Sequence, residues 1–249
     1  MQPRIVELRT KILKKNDELA RELRADFQRH GVFTVNLVSG PGAGKTELLT
    51  RTLRALIPIY RVAAVVGDLA TDNDARRLSQ SGALVKQILT GTMCHLEADM
   101  IRGAIADWNM ADLDALFIEN VGNLVCPSSW DLGEDLRVLL CAVTEGEDKP
   151  LKYPTLINTA DMVVISKTDL AAAVSFDLEA ALQNIQSVRP GIDVVQVSAK
   201  TGAGMETWLT YLHGKIQEKL FNKFPDKFDT RQEGRQDPKS SVHPEALQV

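Results

Sequence analysis

The chain has 249 residues, of which 44% are hydrophobic and 25% are charged, and its formal net charge is −4 at pH 7. This length is enough to bury one sizeable core, and the composition is typical of a soluble globular protein. The acidic balance and the scattered Lys and Arg residues give no electrostatic reason to expect a nucleic-acid partner. No uninterrupted apolar stretch is long enough to span a bilayer, so we expect no membrane insertion.

The N-terminal residues and the cysteine count both favour the cytoplasm. Residues 1–20 are rich in Arg, Lys and Glu and lack the apolar core of a signal peptide. The three cysteines are too few, and odd in number, for a disulfide framework, so they indicate a reducing compartment. We therefore expect a cytoplasmic protein.

The hydrophobic pattern predicts an N-terminal helix followed by alternating strands and helices. Apolar residues at helical spacing predict an amphipathic helix over residues 4–29, which ends at His30-Gly31. Continuous apolar runs predict strands at Val32–Val38, Val62–Val66, Leu84–Ile88, Leu113–Ile118, Val138–Val143, Met162–Ile165 and Val194–Val197. Helices are predicted near 46–56, 72–80, 94–107, 176–188 and 204–220. This alternation predicts an α/β fold with a mainly parallel sheet and helices on both faces.

The pattern divides the chain into three regions. Residues 1–30 are the N-terminal helix, and residues 31–220 are the α/β domain. Residues 221–249 have no periodicity and are rich in Pro, Asp, Lys, Arg, Gln and Ser, which is typical of a disordered tail.

A glycine-rich loop between the first predicted strand and the next helix predicts a phosphate-binding site. The loop reads Ser39-Gly40-Pro41-Gly42-Ala43-Gly44-Lys45-Thr46. Backbone N–H groups of such a loop surround phosphate oxygens at a helix N-terminus. We expect Lys45 to reach the β- and γ-phosphates and Thr46 to place its hydroxyl on Mg²⁺. Ser39 replaces the first glycine of the strict pattern, but the order of strand, loop and helix still predicts nucleoside triphosphate binding.

Phosphate transfer also needs carboxylates for Mg²⁺ and a group that orients the attacking water. Asp68 and Glu119 end two predicted strands, where open α/β sheets bind their ligands, and Gly122 follows near the expected γ-phosphate. We predict Thr46, Asp68 and Glu119 as Mg²⁺ ligands, and Lys45, Asp68 and Glu119 as catalytic residues, with Asp68 orienting water. The alternative roles are a helix N-cap for Asp68 and a solvated strand end for Glu119.

Further along, Ser166-Lys167-Thr168-Asp169 predicts a guanine site, with Ser166 where the usual pattern has asparagine. The Asp169 carboxylate can accept both N1–H and the exocyclic amino group of guanine. Adenine would leave that carboxylate unpaired. The Lys167 stem can cover the base, and a backbone N–H of Ser198-Ala199-Lys200 can contact O6. A solvated loop explains any one element alone, whereas their order and spacing predict GTP and GDP as ligands.

Cys94, His95 and Cys126 form a candidate site for a soft metal ion. Cys94-His95 opens the helix predicted over 94–107, where a thiolate would be stabilised by unpaired N–H groups. Asp99 lies one turn later and could add an oxygen ligand. This donor set suits Ni²⁺ or Zn²⁺, but three ligands leave a tetrahedral site incomplete. The alternative for each cysteine is a buried free thiol, which is how we interpret Cys141.

Two longer strings resemble the signatures of the HypB family, the nickel-incorporation GTPases of hydrogenase maturation. They are Thr90-Gly91-Thr92-Met93-Cys94-His95-Leu96-Glu97-Ala98-Asp99-Met100 and Glu119-Asn120-Val121-Gly122-Asn123-Leu124-Val125-Cys126-Pro127. The resemblance runs from about Asn16 to about Leu212 and includes Gly67-Asp68 and Asp74-Ala75-Arg76 in the first switch. It implies a P-loop GTPase domain of the SIMIBI class over residues 31–220. The related urease-maturation GTPases carry a different cysteine and histidine arrangement.

The resemblance implies a GTPase that loads nickel into the large-subunit precursor of [NiFe]-hydrogenase. Family members form GTP-promoted homodimers, hold metal at the dimer interface through the equivalents of Cys94, His95 and Cys126, and work with a HypA nickel chaperone. Many relatives also carry an N-terminal cysteine motif or a histidine-rich stretch, and this sequence contains neither. Some have a second histidine where Asp99 stands, and the tail has no counterpart that we recognise.

Other functions stay open at this point. A P-loop kinase or ATP-dependent synthetase would lack the Asp169 element and would need an arginine-bearing lid. A nucleotide-gated metal sensor or store would bind the same ligands without significant turnover. Within the GTPase class, the metal could serve another nickel or cobalt enzyme.

Overall fold

A parallel β-sheet forms the centre of the computed structural model, which describes residues 4–69 and 73–223. In these residues the strands are β1 (Phe33–Ser39), β2 (Val62–Asp68), β3 (Leu84–Leu89), β4 (Ala115–Glu119), β5 (Leu136–Ala142), β6 (Met162–Ser166) and β7 (Asp193–Val197). Their order is β3-β2-β4-β1-β5-β6-β7, and every pairing among them is parallel. The predicted α/β class and the seven predicted strands are confirmed.

Helices connect these strands. They are α1 (Arg4–His30), α2 (Lys45–Leu56), α3 (Asn73–Ser79), α4 (Ala98–Ile105), α5 (Lys149–Lys152), α6 (Pro154–Thr159), α7 (Leu178–Val188) and α8 (Met205–Lys223). The sequence pattern does not predict α5 and α6, because helices of four and six residues are too short to show a helical period. Within the described residues, no helix combines the length and the apolar character needed to cross a membrane.

Apolar side chains cover both faces of the sheet, because successive strand residues point to opposite sides. On one face, Leu37 of β1 packs with Leu53 of α2 and Trp208 of α8. On the other face, the neighbouring strand residues contact α1 and α4 in one cluster and α6 and α7 in a second. The predicted coverage of both faces by helices is therefore confirmed.

The N-terminal helix packs against the rest of the protein. Leu23 and Phe27 of α1 are buried in the same cluster as Ile101 of α4 and Leu116 of β4. The helix predicted over 4–29 is confirmed, and it extends one residue further, to His30. The division into regions 1–30, 31–220 and 221–249 stays a prediction, since residues 221–223 belong to α8 and residues 224–249 lie outside the described residues.

The prediction that a helix spans 94–107 is wrong at its start, because α4 begins only at Ala98. Residues 90–93 form a turn in which the hydroxyl of Thr90 donates to the Met93 carbonyl (2.7 Å). Leu96 then packs its fully buried side chain against Gly67, where even a Cβ atom would lie 2.8 Å from the leucine. This tertiary contact holds Leu96 ahead of the helix, and Cys94 and His95 lie in a bend before it.

The packing of α1 predicts that it contributes strongly to stability. Phe27→Ala removes a side chain that is 0% exposed and should lower the free energy of unfolding by about 3–5 kcal/mol. Ile12→Ala, on the same helix at a position that is 51% exposed, is the control and should change it by less than about 0.5 kcal/mol. Urea denaturation of both variants measures the difference, and equal effects would contradict the packing.

Candidate nucleotide cleft and metal centre

The phosphate loop lies at the carboxyl end of β1 and lines a cavity of about 800 Å³. Gly42 and Gly44 adopt φ angles of +74° and +94°, which only glycine adopts without strain, and α2 begins directly after them. The Lys45 ammonium donates to the Ser39 hydroxyl (2.9 Å), which in turn donates to the Gly40 carbonyl (2.6 Å). The serine that departs from the sequence pattern therefore positions the loop lysine. Burial lowers the pKa of Lys45.

Thr46 and Glu119 meet at the floor of this cavity. The Thr46 hydroxyl donates to Oε1 of Glu119 (2.7 Å), while Oε2 is buried without a hydrogen-bond partner in the described residues. Burial raises the Glu119 pKa to about 7, although the nearby Lys45 ammonium opposes the shift. An unpartnered carboxylate oxygen beside a hydroxyl is a donor set that fits Mg²⁺.

Asp68 and Gly122 line the same cavity from two other strand ends. Asp68 ends β2, and Gly122 is the third residue after the end of β4. A Cβ atom on Gly122 would lie 2.9 Å from Cα of Pro41, so only glycine allows this close approach to the phosphate loop. The structure thus gathers the predicted phosphate and magnesium residues around one cleft.

Two cleft residues escape the sequence analysis. Arg77 of α3 donates to Oε2 of Glu47 (3.0 Å), and both side chains line the cavity. The family resemblance implies that Asp74-Ala75-Arg76 belongs to the first switch, but it does not indicate which arginine lines the cavity. Only the packing of α3 beside α2 brings Arg77 to the cleft.

The predicted base site is a smaller cavity of about 170 Å³ that opens beside the phosphate loop. Lys167, Asp169, Ala199 and Lys200 line it, and Oδ1 of Asp169 accepts a hydrogen bond from the Ser198 hydroxyl (2.6 Å). A carboxylate in a mostly apolar pocket can select a ligand that offers paired N–H donors.

Ser166 ties the base site to the phosphate loop. Its hydroxyl donates to the Ala43 carbonyl (2.7 Å), which links the end of β6 to the loop that follows β1. The sequence analysis treats Ser166 only as a departure from the usual asparagine. A serine hydroxyl at this position still supplies the one donor that the link requires.

Cys94, His95 and Cys126 come together at the predicted metal centre. One ligand atom from each residue lies within 4.8 Å of the others, and the two Sγ atoms are 2.7 Å apart. All three residues are partly buried. Two thiols and an imidazole gathered at one place are a donor set that suits a soft or borderline ion such as Ni²⁺ or Zn²⁺.

His95 is oriented by two residues that the sequence analysis does not single out. Its ring stacks on Trp130 with the centroids 4.2 Å apart, and its Nε2 lies 3.4 Å from Oε1 of Glu97. Nδ1 is buried with no hydrogen-bond partner in the described residues, so it is the nitrogen that is available to an ion. Burial lowers the pKa of His95 and favours the neutral, ligating form. A carboxylate behind a ligating histidine is a common second partner in metal sites.

Two sequence interpretations of this centre need correction. Because α4 begins at Ala98, Cys94 does not lie at a helix N-terminus, and the predicted stabilisation of its thiolate by that terminus is wrong. Asp99 lies outside the group of three, with its carboxylate 64% exposed and paired with Arg102 (2.5 Å). Cys141 is buried in β5, as predicted, and burial raises its pKa to about 12.

One short loop joins the two sites. It runs from Glu119 in the cleft to Cys126 at the metal centre. Asn120 holds its start, since Oδ1 accepts the backbone N–H of Leu96 (3.2 Å), directly after His95. Leu124, within the loop, lies close to Gly40: a Cβ atom placed on Gly40 would lie 3.5 Å from Cγ of Leu124. The segment between the two sites therefore contacts both the phosphate loop and the Cys94-His95 segment.

Comparison with known proteins identifies the family. Residues 33–196 match the family model described as CobW/HypB/UreG, nucleotide-binding domain. Over 211 residues the chain is 47% identical to the hydrogenase maturation factor HypB of Azotobacter vinelandii, and the match covers 85% of this chain and 70% of that protein. The chain belongs to the HypB family. It is also 44% identical to HypB of Escherichia coli K12 over 211 residues, which covers 85% of this chain and 73% of the relative.

Solved HypB structures share the fold. HypB from Helicobacter pylori in complex with nickel has a TM-score of 0.77 and 39% identity, and covers 82% of this chain and 96% of its own. HypB from Archaeoglobus fulgidus has a TM-score of 0.76 and 36% identity, and covers 82% of this chain and 99% of its own. The predicted family resemblance is confirmed.

The three cysteines should differ sharply in reactivity. In metal-free protein at pH 8, a disulfide reagent should modify Cys94 and Cys126 quickly, because both are partly exposed. Cys141 should react only after denaturation, since a pKa of about 12 leaves roughly one thiolate in 10⁴ at that pH. Absorbance of the released thiol counts the fast groups, and added Ni²⁺ or Zn²⁺ should protect both. The assignment of Cys141 as the slow thiol would be contradicted if three thiols reacted quickly, or if Cys141→Ala lowered the number of thiols that react quickly.

Proposed function

We propose that this chain is a GTP-hydrolysing nickel metallochaperone that assists nickel insertion into the [NiFe]-hydrogenase large subunit. The observation that carries the proposal is the loop of residues 119–126, with a nucleotide-cleft carboxylate at its start and a metal-site thiol at its end. Membership of the HypB family supports the same function. In this proposal the nucleotide state controls how firmly the metal is held.

Guanine is the proposed base. The Asp169 carboxylate faces a pocket whose walls include Lys167 and Ala199, as a guanine site requires. Adenine carries no N–H at N1, so it would leave the Asp169 carboxylate without a donor from the base. The contact from Ser198 holds the carboxylate in one orientation.

The proposed hydrolysis uses Lys45, Asp68 and Glu119 around the triphosphate. Lys45 would contact the β- and γ-phosphates, and the N–H of Gly122 would contact the γ-phosphate. Thr46, Asp68 and Glu119 would hold Mg²⁺, which neutralises phosphate charge when it is bound. Asp68 is the proposed group that orients the attacking water. We expect slow turnover, because switch GTPases without an activator hydrolyse GTP far below one per second.

Nickel is the proposed cargo, with Zn²⁺ as a competing occupant. Cys94, His95 and Cys126 supply three ligands, so a four-coordinate ion needs a further donor. We propose that a second copy of the chain, brought together by GTP, completes the site. A HypA-like nickel chaperone and the hydrogenase large-subunit precursor are the proposed partners, and the cytoplasm is the proposed location.

A second nickel enzyme is an alternative recipient. The chain is 39% identical over 217 residues to a Helicobacter pylori protein named hydrogenase/urease maturation factor HypB. That relative's name joins two nickel enzymes, so a recipient other than hydrogenase is compatible with this family. Delivery assays with each apo-enzyme separate the two recipients.

Base selection predicts a change of nucleotide preference. Asp169→Asn replaces the carboxylate acceptor with an amide, whose N–H can donate to the carbonyl that xanthine carries in place of the guanine amino group. GDP affinity should therefore fall by about 10²-fold or more, while XDP affinity rises. Competition of GDP, XDP and ADP with a fluorescent nucleotide measures the preference. Asp177→Asn, a helix cap outside both cavities, is the control and should leave it unchanged. Tighter binding of ADP than of GDP by the unmodified chain would favour a kinase or synthetase instead.

Coupling predicts that metal affinity depends on the nucleotide. Nickel titration with GDP and with a non-hydrolysable GTP analogue should give affinities that differ by at least about fivefold, a typical coupling energy of 1 kcal/mol. Gly122→Ala, which forces a Cβ atom against Pro41, should reduce that difference. Gly103→Ala is the matched control, because a Cβ atom there meets nothing within 4 Å. Equal affinity, stoichiometry and transfer rate in both nucleotide states would remove the coupling.

A further inference from the structure

A buried asparagine of the N-terminal helix connects the two segments that carry the metal ligands. Asn16 is 4% exposed and lies in the middle of α1. Its Nδ2 donates to the Asp131 carbonyl (2.8 Å), and its Oδ1 accepts the backbone N–H of Ala98 (2.9 Å). These two partners lie 33 residues apart in sequence, and neither belongs to α1.

Both partners lie close to the metal centre along the chain. Ala98 follows His95 by three residues and begins α4. Asp131 follows Trp130, the residue that stacks on the imidazole of His95. Asn16 therefore bonds the backbone of two segments. One segment carries His95, and the other carries Trp130, which stacks on the imidazole.

The carboxamide is chemically matched to this position. It donates and accepts at the same time, as a bridge between a carbonyl and an N–H requires. An aspartate of the same shape keeps the acceptor and loses the donor, while leucine loses both. Leaving the buried Ala98 N–H and the partly buried Asp131 carbonyl unpaired is costly, so the amide fixes the distance between the segments.

The other side-chain hydrogen bonds and ion pairs of α1 in the described residues reach at most one of the two segments. Arg24 pairs with the side chain of Asp131 (2.6 Å), whereas apolar residues such as Leu23 pack into a cluster that includes Ala98 and Leu132. The Leu96 N–H is held separately by Asn120. Among the hydrogen bonds of the described residues, Asn16 is the one α1 side chain that bonds both segments.

We propose that Asn16 is a positioning residue of the metal centre: α1 sets the geometry of Cys94, His95 and Cys126 through this amide. The inference rests on the proposed function, because it assumes that the three residues bind nickel. It assigns the N-terminal helix a role in metal affinity, although none of its residues ligates the ion.

Titration with Ni²⁺ alone, followed by the thiolate-to-metal charge-transfer absorption, tests the proposal. Asn16→Leu should weaken Ni²⁺ binding by about 10–100-fold, the usual cost of losing a group that orients ligands. Asn16→Asp, which retains the acceptor for Ala98, should give an intermediate loss. Both variants should shift or broaden the charge-transfer band, since the ligand geometry changes.

Thr52→Val is the control for a general loss of stability. Thr52 is also a buried bridge, which accepts from Trp208 (2.8 Å) and donates to the Leu48 carbonyl, but it lies on the opposite face of the sheet. Thermal unfolding measures how much stability each variant has lost, so that Thr52→Val can be compared with Asn16→Leu. Thr52→Val should retain the Ni²⁺ affinity and the charge-transfer spectrum of the unmodified chain. If it loses affinity as much as Asn16→Leu, the effect is general destabilisation and the inference is wrong.

The two hypotheses fail in different ways. If the unmodified chain binds no Ni²⁺ with a thiolate band, the proposed function fails. If the unmodified chain binds Ni²⁺ and folded Asn16→Asp or Asn16→Leu binds it with the same affinity and spectrum, only the role of Asn16 is overturned.

Discussion

The parallel pairing of β1 with β4 is the constraint on which both sites depend. Leu37 of β1 is paired with Glu119 of β4, so the two strands end side by side and their following loops leave the sheet at the same edge. The loop after β1 holds phosphate in the proposed function, and the loop after β4 leads to Cys126. The N–H of Asn120 donates to the Leu37 carbonyl (3.0 Å) and extends this pairing past the last strand residue. A shift in this register would separate the proposed nucleotide and metal sites.

Buried polar side chains of β1 and its neighbouring segments bond one another in a network. Asn36 of β1 bonds Asn120 (3.3 Å) and Glu134 (3.0 Å), and Glu134 in turn accepts from Arg137 (2.8 Å). Such networks stabilise a single arrangement only when their members are satisfied. Glu119 lies outside this network, and its Oε2 is among the buried atoms that have no partner in the described residues. A buried carboxyl with an unused oxygen is destabilising in a protein without ligand, and a bound cation would relieve that cost.

The metal centre shows how distant segments combine. Cys94 and His95 lie on one segment and Cys126 on another, while Trp130 and Glu97 orient the imidazole. The sequence could predict these three residues as candidate donors, because thiols and imidazoles in a motif suggest a soft ion. It could not predict their surroundings, because aromatic stacking and the choice between Nδ1 and Nε2 depend on contacts between residues far apart in the chain. The same reason explains why α4 starts at Ala98 rather than at Cys94: Leu96 gains a buried contact with Gly67 that no helical pattern reveals.

The sequence by itself determined the fold class and predicted the candidate ligand-binding motifs, because these depend on local chemistry and on hydrophobic period. Runs of Val, Ile and Leu specify buried strands, and a glycine-rich loop ahead of a helix specifies a phosphate site wherever the rest of the chain lies. Tertiary structure alone decided which of these elements meet: Arg77 at the cleft, Ser166 on the phosphate loop and Asn16 between the two metal-site segments. Those contacts join residues separated by up to 123 positions, so their geometry exists only once the sheet order has brought the elements together.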